Sequence, residues 1–414
     1  MTPLTSDTRH TVSMEQAQGN APPRPRVCYL RGSYLNPFEV QYLTPLAGRF
    51  DVTLAHPKTL RFDISRVPFR KLAVPCVDYL NGLLPRRVGG LRVPNPLKFF
   101  GFEEVFLGLK GALEGFDIVH VPEQLFYFTW QAAQLKRELG YRLAVTQAEV
   151  NPFCYDRWAH VVRRAAFVRE QADLFLARTQ RARSALITEG VDPSRIRVIG
   201  HGVDIEKFRP APADTALRRE LGIEEDHFVV LFVGRLVWTK GLWSIADAAA
   251  RLVQDRDLKG KRPLFLMVGD GEDRAAFEGR LRRLGVERLF KFTGNQPYER
   301  LPELHRLADV FTMPSISTRG ILEQFGIALL EAMASGKPVI STHCGAIDEV
   351  VGDAGLLVQP NDSLRLYEAL AMLHRDAALR RELGERGRRR VAESFTNIII
   401  AEQIANAYEQ VSTS

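Results

Sequence analysis

Two short stretches of the chain carry residue types at spacings that suit chemistry on a phosphorylated ligand. The first runs Glu323-Gln324-Phe325-Gly326-Ile327-Ala328-Leu329-Leu330-Glu331-Ala332-Met333-Ala334-Ser335-Gly336. It reads as a loop that becomes a helix at Gly326 and stops at Gly336, a glycine C-cap. A helix N-terminus offers unpaired N–H groups and the positive end of a dipole, which suits a phosphate. Gly326 has no Cβ, so an anion can come close to the backbone there. Glu331 lies about a turn and a half inside the helix, at 3.6 residues per turn. Its carboxylate can accept two hydrogen bonds from a vicinal diol such as ribose. Glu323 stands before the helix, near the same opening. Apolar neighbours surround Glu331, and an ionised glutamate in such company is costly without a partner. That weighs against a buried helix with one chance acid.

The second stretch is Gly234-Arg235-Leu236-Val237-Trp238-Thr239-Lys240-Gly241, directly after the apolar run 228–233. Two cations flank a turn at the carboxyl end of an expected strand. Arginine forks onto phosphate oxygens and lysine supplies a point charge. Together they would neutralise a departing diphosphate. Taken alone, the turn reads equally well as a surface feature with two solvated cations.

Elements must hold these stretches in place. Short apolar runs at 26–30, 51–55, 117–121, 142–146, 174–177 and 197–199 read as buried strands. Amphipathic stretches such as 122–139 and 156–171 lie between them. This alternation implies a parallel sheet covered by helices on both faces. The pattern restarts after 208–213, where Pro210 and Pro212 mark a linker. Strands are expected at 228–233, 264–268, 290–293, 310–313 and 339–341, with clear helices at 242–253 and 273–284. The organisation is therefore a leader over 1–25, an acceptor-side domain over 26–207, the linker, a second domain over 214–395, and a segment 396–414. A helix expected over 396–411 would pack back on the first domain. Both domains are α/β, doubly wound and Rossmann-like. Ligands of such sheets lie beyond the carboxyl ends of the strands, so the cleft between the two domains is the expected site.

The chain has 414 residues, of which 45% are apolar and 25% charged, an ordinary globular composition. That excludes collagen, coiled coil and wholesale disorder. No run of about 18 apolar residues occurs, so no membrane-spanning helix is expected. The polar, proline-bearing start lacks the apolar stretch of a signal peptide and is expected to be a disordered leader on a cytoplasmic protein. Cys28, Cys76, Cys154 and Cys344 are scattered and form no CxxC pair, so neither zinc nor a disulfide framework is indicated. The one Asp-x-Asp, Asp255-Arg256-Asp257, sits in a polar loop away from an expected strand's carboxyl end. No metal site is expected from it.

The net charge of +7 is uneven. Residues 60–110 hold nine Lys/Arg against four Asp/Glu, and residues 151–183 hold seven against three. A basic first half suits an anionic partner, such as a phosphorylated acceptor or an anionic membrane surface. It equally suits a solvated basic face. Arg86, Arg87, Arg92 and Lys98 alternate there with Leu83, Leu84, Leu97, Phe99 and Phe100, as a surface resting on lipid headgroups would. The arginine-rich stretch 375–390 also carries acids and reads as a solvated helix, with no nucleic-acid role.

Together the motifs resemble retaining glycosyltransferases of family 4, which have the GT-B fold. That family's second domain carries G-R-x-x-x-x-K-G, V-G-x-G, E-x7-E and A-M-A-x-G-x-P-V. Here these are Gly234-Arg235…Lys240-Gly241, Val268-Gly269-Asp270-Gly271, Glu323…Glu331 and Ala332-Met333-Ala334-Ser335-Gly336-Lys337-Pro338-Val339, in the same order. Gly202-Val203-Asp204 with Phe208 resembles the G-V-D-x-x-x-F that closes the first domain. The resemblance implies a nucleotide diphosphate sugar donor of the UDP-sugar or GDP-mannose type, and a glycan or lipid-linked acceptor. Arg235 and Lys240 would hold the diphosphate, Glu331 the ribose, and Glu323 the transferred sugar. Gly269 and the backbone of Phe325, Gly326 and Ile327 would meet sugar or phosphate. Such enzymes usually need no metal and no other cofactor.

The first half departs from the pattern. Relatives often have a glycine-rich loop after the first strand, where this chain has Arg31-Gly32-Ser33. Relatives often have T-x-H at a strand end, where this chain has Val145-Thr146-Gln147. Gln147 can bond a sugar hydroxyl but cannot take a proton. Glu149 and His120 are the candidate substitutes, with Gly32, Ser33, Gln147 and Glu149 lining the acceptor side. Other readings are an isomerase or phosphorylase on the same fold and a non-catalytic nucleotide-sugar binder. A nucleotide-cofactor oxidoreductase fails because Arg274 stands where the third glycine of its fingerprint belongs.

Overall fold

Val27, Cys28, Tyr29 and Leu30 are all buried, so strand β1 (Arg26–Leu30) is apolar on both faces. A strand covered on both sides must sit inside a parallel sheet. The computed structural model describes residues 24–77, 87–88, 91–92, 104–156, 158–256, 258, 260–318 and 322–413. Among them β1 is joined by β2 (Asp51–Pro57), β3 (Arg70–Val74), β6 (Ile118–Pro122), β7 (Arg142–Gln147), β8 (Leu174–Ala177) and β9 (Ile196–Val198). All pair in parallel, in the order β3-β2-β1-β6-β7-β8-β9. A separate antiparallel pair is formed by β4 (Arg87–Val88) and β5 (Leu91–Arg92). The rest of the leader and of the basic 78–103 stretch, including Arg86 and Lys98, lies outside the described residues.

The second sheet holds β10 (His227–Val233), β11 (Arg262–Val268), β12 (Phe290–Gly294), β13 (Val310–Thr312), β14 (Val339–Thr342) and β15 (Leu356–Val358). Its order is β12-β11-β10-β13-β14-β15, again parallel throughout. In each sheet the chain winds outward from a central strand and then returns to its other side. The switch points therefore lie between β1 and β6 and between β10 and β13. Crossovers leave to opposite faces there, and a crevice opens beyond the strand ends. Arg235 and Lys240 follow β10, and Glu323 follows β13. Gly32 and Ser33 follow β1. These groups thus fall at the switch points, while Gly269 follows β11 and Gln147 ends β7.

Besides the short β4–β5 pair, two strands of the parallel sheets escaped sequence analysis. Arg70, Lys71 and Ala73 of β3 are exposed, so this edge strand shows no apolar run. β15 has three residues and is only half-buried. Phe208 is fully buried in the core of the second domain and packs on Tyr298 and His305. The chain crosses between domains twice, and the crossings are tied together. Val203 N–H donates to Phe395 O at 2.8 Å and Asn397 N–H to Val203 O at 3.2 Å.

The last helix, Asn397–Thr413, lies on the first domain. Ile400, Ala401, Ile404, Ala405 and Tyr408 recur at helical spacing and join the core formed by β1 and β2. The helix Ala377–Ser394 is more than a solvated surface. Its Arg388 donates to the carbonyls of Phe208, Ile205 and Ala334 at 2.8, 3.0 and 2.8 Å, binding the crossing to the Ile327–Ala334 helix. Asp255 is likewise spent on structure, bonding Tyr367 and Arg375. Asp257 lies outside the described residues.

Candidate active site

Lys240 ends a short 3-10 turn, Trp238–Lys240, just past β10. The following Gly241 has φ +77°, and a Cβ on it would lie 2.0 Å from Pro314 O. Only glycine lets the turn press this closely on the loop after β13. Ile316 N–H donates to Thr239 O at 2.9 Å across the same seam. The consequence is that Lys240 Nζ reaches Glu323 Oε2 at 2.5 Å, while Ser315 Oγ donates to the same oxygen at 2.9 Å. Both side chains are partly covered, at 22% and 12% exposure. A carboxylate held by two donors is fixed in direction, so Glu323 is a preorganised acceptor at the mouth of the cleft. Ser315 is the residue that sequence analysis missed here. Arg235 is exposed in the same turn and makes no ion pair among the described residues.

Gly326 caps the Ile327–Ala334 helix at φ +83°, as the sequence requires. The first N–H groups of a helix have no partner within it, and here Leu329 N–H turns back to Gly326 O at 2.8 Å. Phe325 is itself buried between His201 and Phe395, with ring centroids 6.1 Å from each, so only its backbone remains for a ligand. Gly269 has a packing role: at φ +124°, a Cβ there would lie 2.1 Å from Gly234 O. It lets the turns after β10 and β11 cross closely and so fixes the base of Arg235.

Glu331 is 3% exposed. His305 Nε2 lies 3.8 Å from Glu331 Oε2. Burial, and after it the Glu331 charge, raises the Tyr298 hydroxyl well above its usual range. Tyr298 also accepts a hydrogen bond from Gln41 Nε2 of the first domain at 3.0 Å. Tyr298, whose hydroxyl feels the Glu331 charge, is thus tied to the opposite domain. The Gln41–Tyr298 contact joins residues 257 positions apart, a separation no local pattern reveals.

The expectation of a catalytic His120 is corrected. Its ring is fully buried, with Nδ1 2.5 Å from the Tyr408 hydroxyl and Nε2 2.6 Å from Thr146 Oγ1. Burial, followed by the Arg178 charge, holds it well below the ordinary histidine range. His120 clamps the last helix to the first sheet and offers the cleft no free nitrogen. Gln147 is 2% exposed, and its Oε1 has no hydrogen-bond partner among the described residues. Glu149 Oε1 caps the N–H groups of Val150 and Asn151, and its Oε2 accepts from Gln324 Nε2 across the cleft at 3.1 Å. Above Gly32 and Ser33 sits a residue that sequence analysis did not select. Ser33 N–H donates to Glu104 Oε1 at 2.6 Å, and a Cβ on Gly32 would overlap the Glu104 carboxylate.

Residues 213–390 match the model for glycosyl transferases group 1, and residues 77–207 match that for Glycosyltransferase Family 4. A D-inositol 3-phosphate glycosyltransferase from Kribbella flavida is 30% identical over 317 residues, 66% of this chain and 73% of that one. The chain belongs to glycosyltransferase family 4. A second D-inositol 3-phosphate glycosyltransferase, from Geodermatophilus obscurus, is 35% identical over 246 residues, 58% of this glycosyltransferase and 52% of that chain. Among solved structures, Anabaena Alr3699/HepE in complex with UDP superposes with a TM-score of 0.75 at 20% identity, covering 93% of this chain and all (100%) of that one. Sucrose-phosphate synthase from Thermosynechococcus elongatus gives 0.72 at 22% identity, with 94% and 100% covered. The two parallel α/β domains are thus the GT-B fold, and the chain is an enzyme of sugar transfer. Among the described residues, no helix is long and apolar enough to cross a membrane.

Proposed function

We propose that this glycosyltransferase moves a hexosyl group from a nucleotide diphosphate sugar, of the UDP-sugar or GDP-mannose type, to a hydroxyl of a glycan or lipid-linked acceptor. The anomeric configuration is retained and no metal takes part. The observation that carries this reading is the Lys240–Glu323 pair, set between Arg235 and the N-terminus of the Ile327–Ala334 helix. UDP is the favoured nucleotide because the Anabaena neighbour holds it.

In this reading the donor's diphosphate lies against Arg235, Lys240 and the helix N–H groups. Its charge grows as the bond from C1 to the phosphate oxygen breaks. Fixed positive charge and oriented dipoles stabilise that growth without reorganising, which is the largest contribution in most such sites. Glu331 receives the ribose hydroxyls. Glu323, held by Lys240 and Ser315, receives a hydroxyl of the sugar. Retention brings the acceptor hydroxyl in on the face the phosphate leaves. With His120 sealed in the core, the departing phosphate oxygen is the base nearest the acceptor proton.

A thermal-shift screen of UDP-glucose, UDP-galactose, GDP-mannose and ADP-glucose tests the donor. Binding at a hundredfold excess over Kd stabilises the native state by about 2.7 kcal/mol. Transfer is then followed in EDTA, and the product anomer is read by NMR. No stabilisation by any of the four, an inverted product, or activity abolished by EDTA and restored by Mg²⁺ or Mn²⁺ would each refute the corresponding part.

A further inference from the structure

Glu349 belongs to the second domain, in the short helix Ile347–Val351. Its carboxylate nevertheless ends on the first domain. Gln180 N–H donates to Glu349 Oε2 at 2.5 Å, and Arg181 N–H donates to Glu349 Oε1 at 2.9 Å. These are the first two N–H groups of the helix Gln180–Thr188, which follows β8. The opening N–H groups of a helix have no acceptor within it, and the dipole there favours a negative charge. Thr179 Oγ1 takes the third, from Ala182 N–H at 3.1 Å. The helix thus receives the rest of its cap from the other domain. Beside it, Arg181 Nη2 lies 3.4 Å from Asp348 Oδ2, and His343 Nδ1 lies 2.5 Å from Asp348 Oδ1. Gln180 and Glu349 stand 169 positions apart, so no local pattern pairs them.

The Glu349 backbone is held in turn. Arg390, from the helix Ala377–Ser394, donates to the carbonyls of Glu349 and Val350 at 2.7 and 2.8 Å. Glu349 N–H donates to Ala346 O at 3.1 Å, and Ala346 N–H donates to Glu323 O at 2.9 Å. Gly345 stands at φ +60°, and a Cβ on it would lie 2.0 Å from Glu323 O, so the two loops touch through their backbones. A continuous run of bonded backbone therefore joins Glu323 to the residue that caps the opposite domain.

The same stretch rests on the first domain's core. Ala346 is fully buried in the apolar cluster that holds Ala177 and Ala182, and Leu322 packs against that cluster. Gln324 adds its bond to Glu149. The loop that presents Glu323 is therefore placed by the first domain as well as by its own. Arg235 and Lys240, after β10, take their places from the second domain.

Resting on the role given to Glu323 above, we infer that Glu349 is a positioning residue of the transfer. By capping the Gln180–Thr188 helix it sets where Glu323 meets the sugar, and it has no part in holding the nucleotide. Charge-assisted hydrogen bonds are the stronger class, and using both oxygens fixes direction as well as distance.

The test uses the full chain and two variants, one in each domain. Glu349→Gln keeps the side-chain length and removes the charge. Gln180→Pro removes the N–H that Glu349 accepts and sets a ring carbon against the carboxylate. Proline is favoured at the first helical position, and Thr179 already has the extended backbone that proline demands before it, φ −147° and ψ 166°. Calorimetry gives the Kd for UDP and for UDP-glucose. Both variants should leave the UDP Kd within about twofold and weaken UDP-glucose by about tenfold, the scale of one lost hydrogen bond to a charged group. The double variant should be no worse than the poorer single, because both break one contact. Amide exchange at Arg181, slowed in wild type by the Glu349 bond, should quicken in both.

The inference falls if Gln180→Pro leaves the UDP-glucose Kd unchanged, whether or not Glu349→Gln raises it, since Glu349 would then act inside its own domain or not at all. It falls if both variants weaken UDP and UDP-glucose alike, as a merely structural role would, or if the Arg181 amide of wild type exchanges as freely as in the variants. Failure of the donor reading shows separately, as a wild type without affinity for UDP. The same pair of measurements is then made with GDP and GDP-mannose or ADP and ADP-glucose, whichever binds. A wild type that binds UDP and UDP-glucose equally removes the role given to Glu323 and leaves the exchange at Arg181 to decide the tie between the domains.

Discussion

Replacing Lys240 with methionine removes one charge and keeps most of the side-chain volume. The structure predicts two effects of different size. Lys240 Nζ stands 2.5 Å from Glu323 Oε2, and the carboxylate side chain is only 12% exposed. A hydrogen bond to a charged group contributes about 1.5–3 kcal/mol. Ser315 Oγ stays at 2.9 Å and keeps Glu323 bonded, so the stability loss belongs at the low end. That corresponds to a fall in Tm of a few degrees, at roughly 2–4 °C per kcal/mol for a domain of this size. Turnover should fall much further. Losing one preorganised stabiliser of transition-state charge costs about 10²–10³ in rate, or roughly 2.7–4 kcal/mol. UDP affinity should drop by no more than about tenfold, or 1.4 kcal/mol. Steady-state kinetics, calorimetry with UDP and a thermal melt separate the three. Glu323→Gln should impair turnover too, and the double variant should be little worse than the poorer single, because groups that act as a unit are not additive. Near wild-type kcat in Lys240→Met, or strict additivity with Glu323→Gln, would refute the reasoning.

Gly241→Ala puts a methyl group 2.0 Å from Pro314 O at φ +77°. It should cost about 2 kcal/mol or more in stability and, by displacing Lys240, about 10² in rate; an active, unchanged Gly241→Ala protein would contradict the close seam. Two buried histidines set an acid limit. His120 is held well below its ordinary range and His201 is pushed down to about 3, burial being the first cause for both. Both stay neutral when folded but take a proton when unfolded below about pH 6.5, so stability is full above that value and falls by up to about 1.4 kcal/mol per unit per group as the pH drops toward 5. Melting curves at pH 7, 6 and 5 check this, and a Tm that does not fall would disprove it. The basic segment gives a fourth expectation: co-sedimentation with anionic vesicles that weakens with salt and is lost when Arg86, Arg87 and Arg92 become Glu. A protein that stays in the supernatant at low salt removes the membrane role.

The sequence alone determined the two α/β domains and where the residues proposed to hold the donor fall in them. Buried parallel strands are continuous apolar runs, and 228–233 or 142–146 can hardly be anything else. Arg235, Lys240, Glu323, Gly326 and Glu331 each sit within a few residues of a strand end or helix start, so local pattern placed them. Tertiary structure alone decided which polar groups at the strand ends of the first domain are covered. His120 and Glu123 are three residues apart on one strand end, yet one ring is locked between Tyr408 and Thr146 while the other side chain keeps an oxygen with no partner among the described residues. Tyr408 reaches His120 from 288 positions away, and Gln324 reaches Glu149 from 175. Which polar group is sealed and which is left open depends on what packs over it. In a fold built by crossing between two domains twice, that cover comes from residues far along the chain, and no local spacing encodes it.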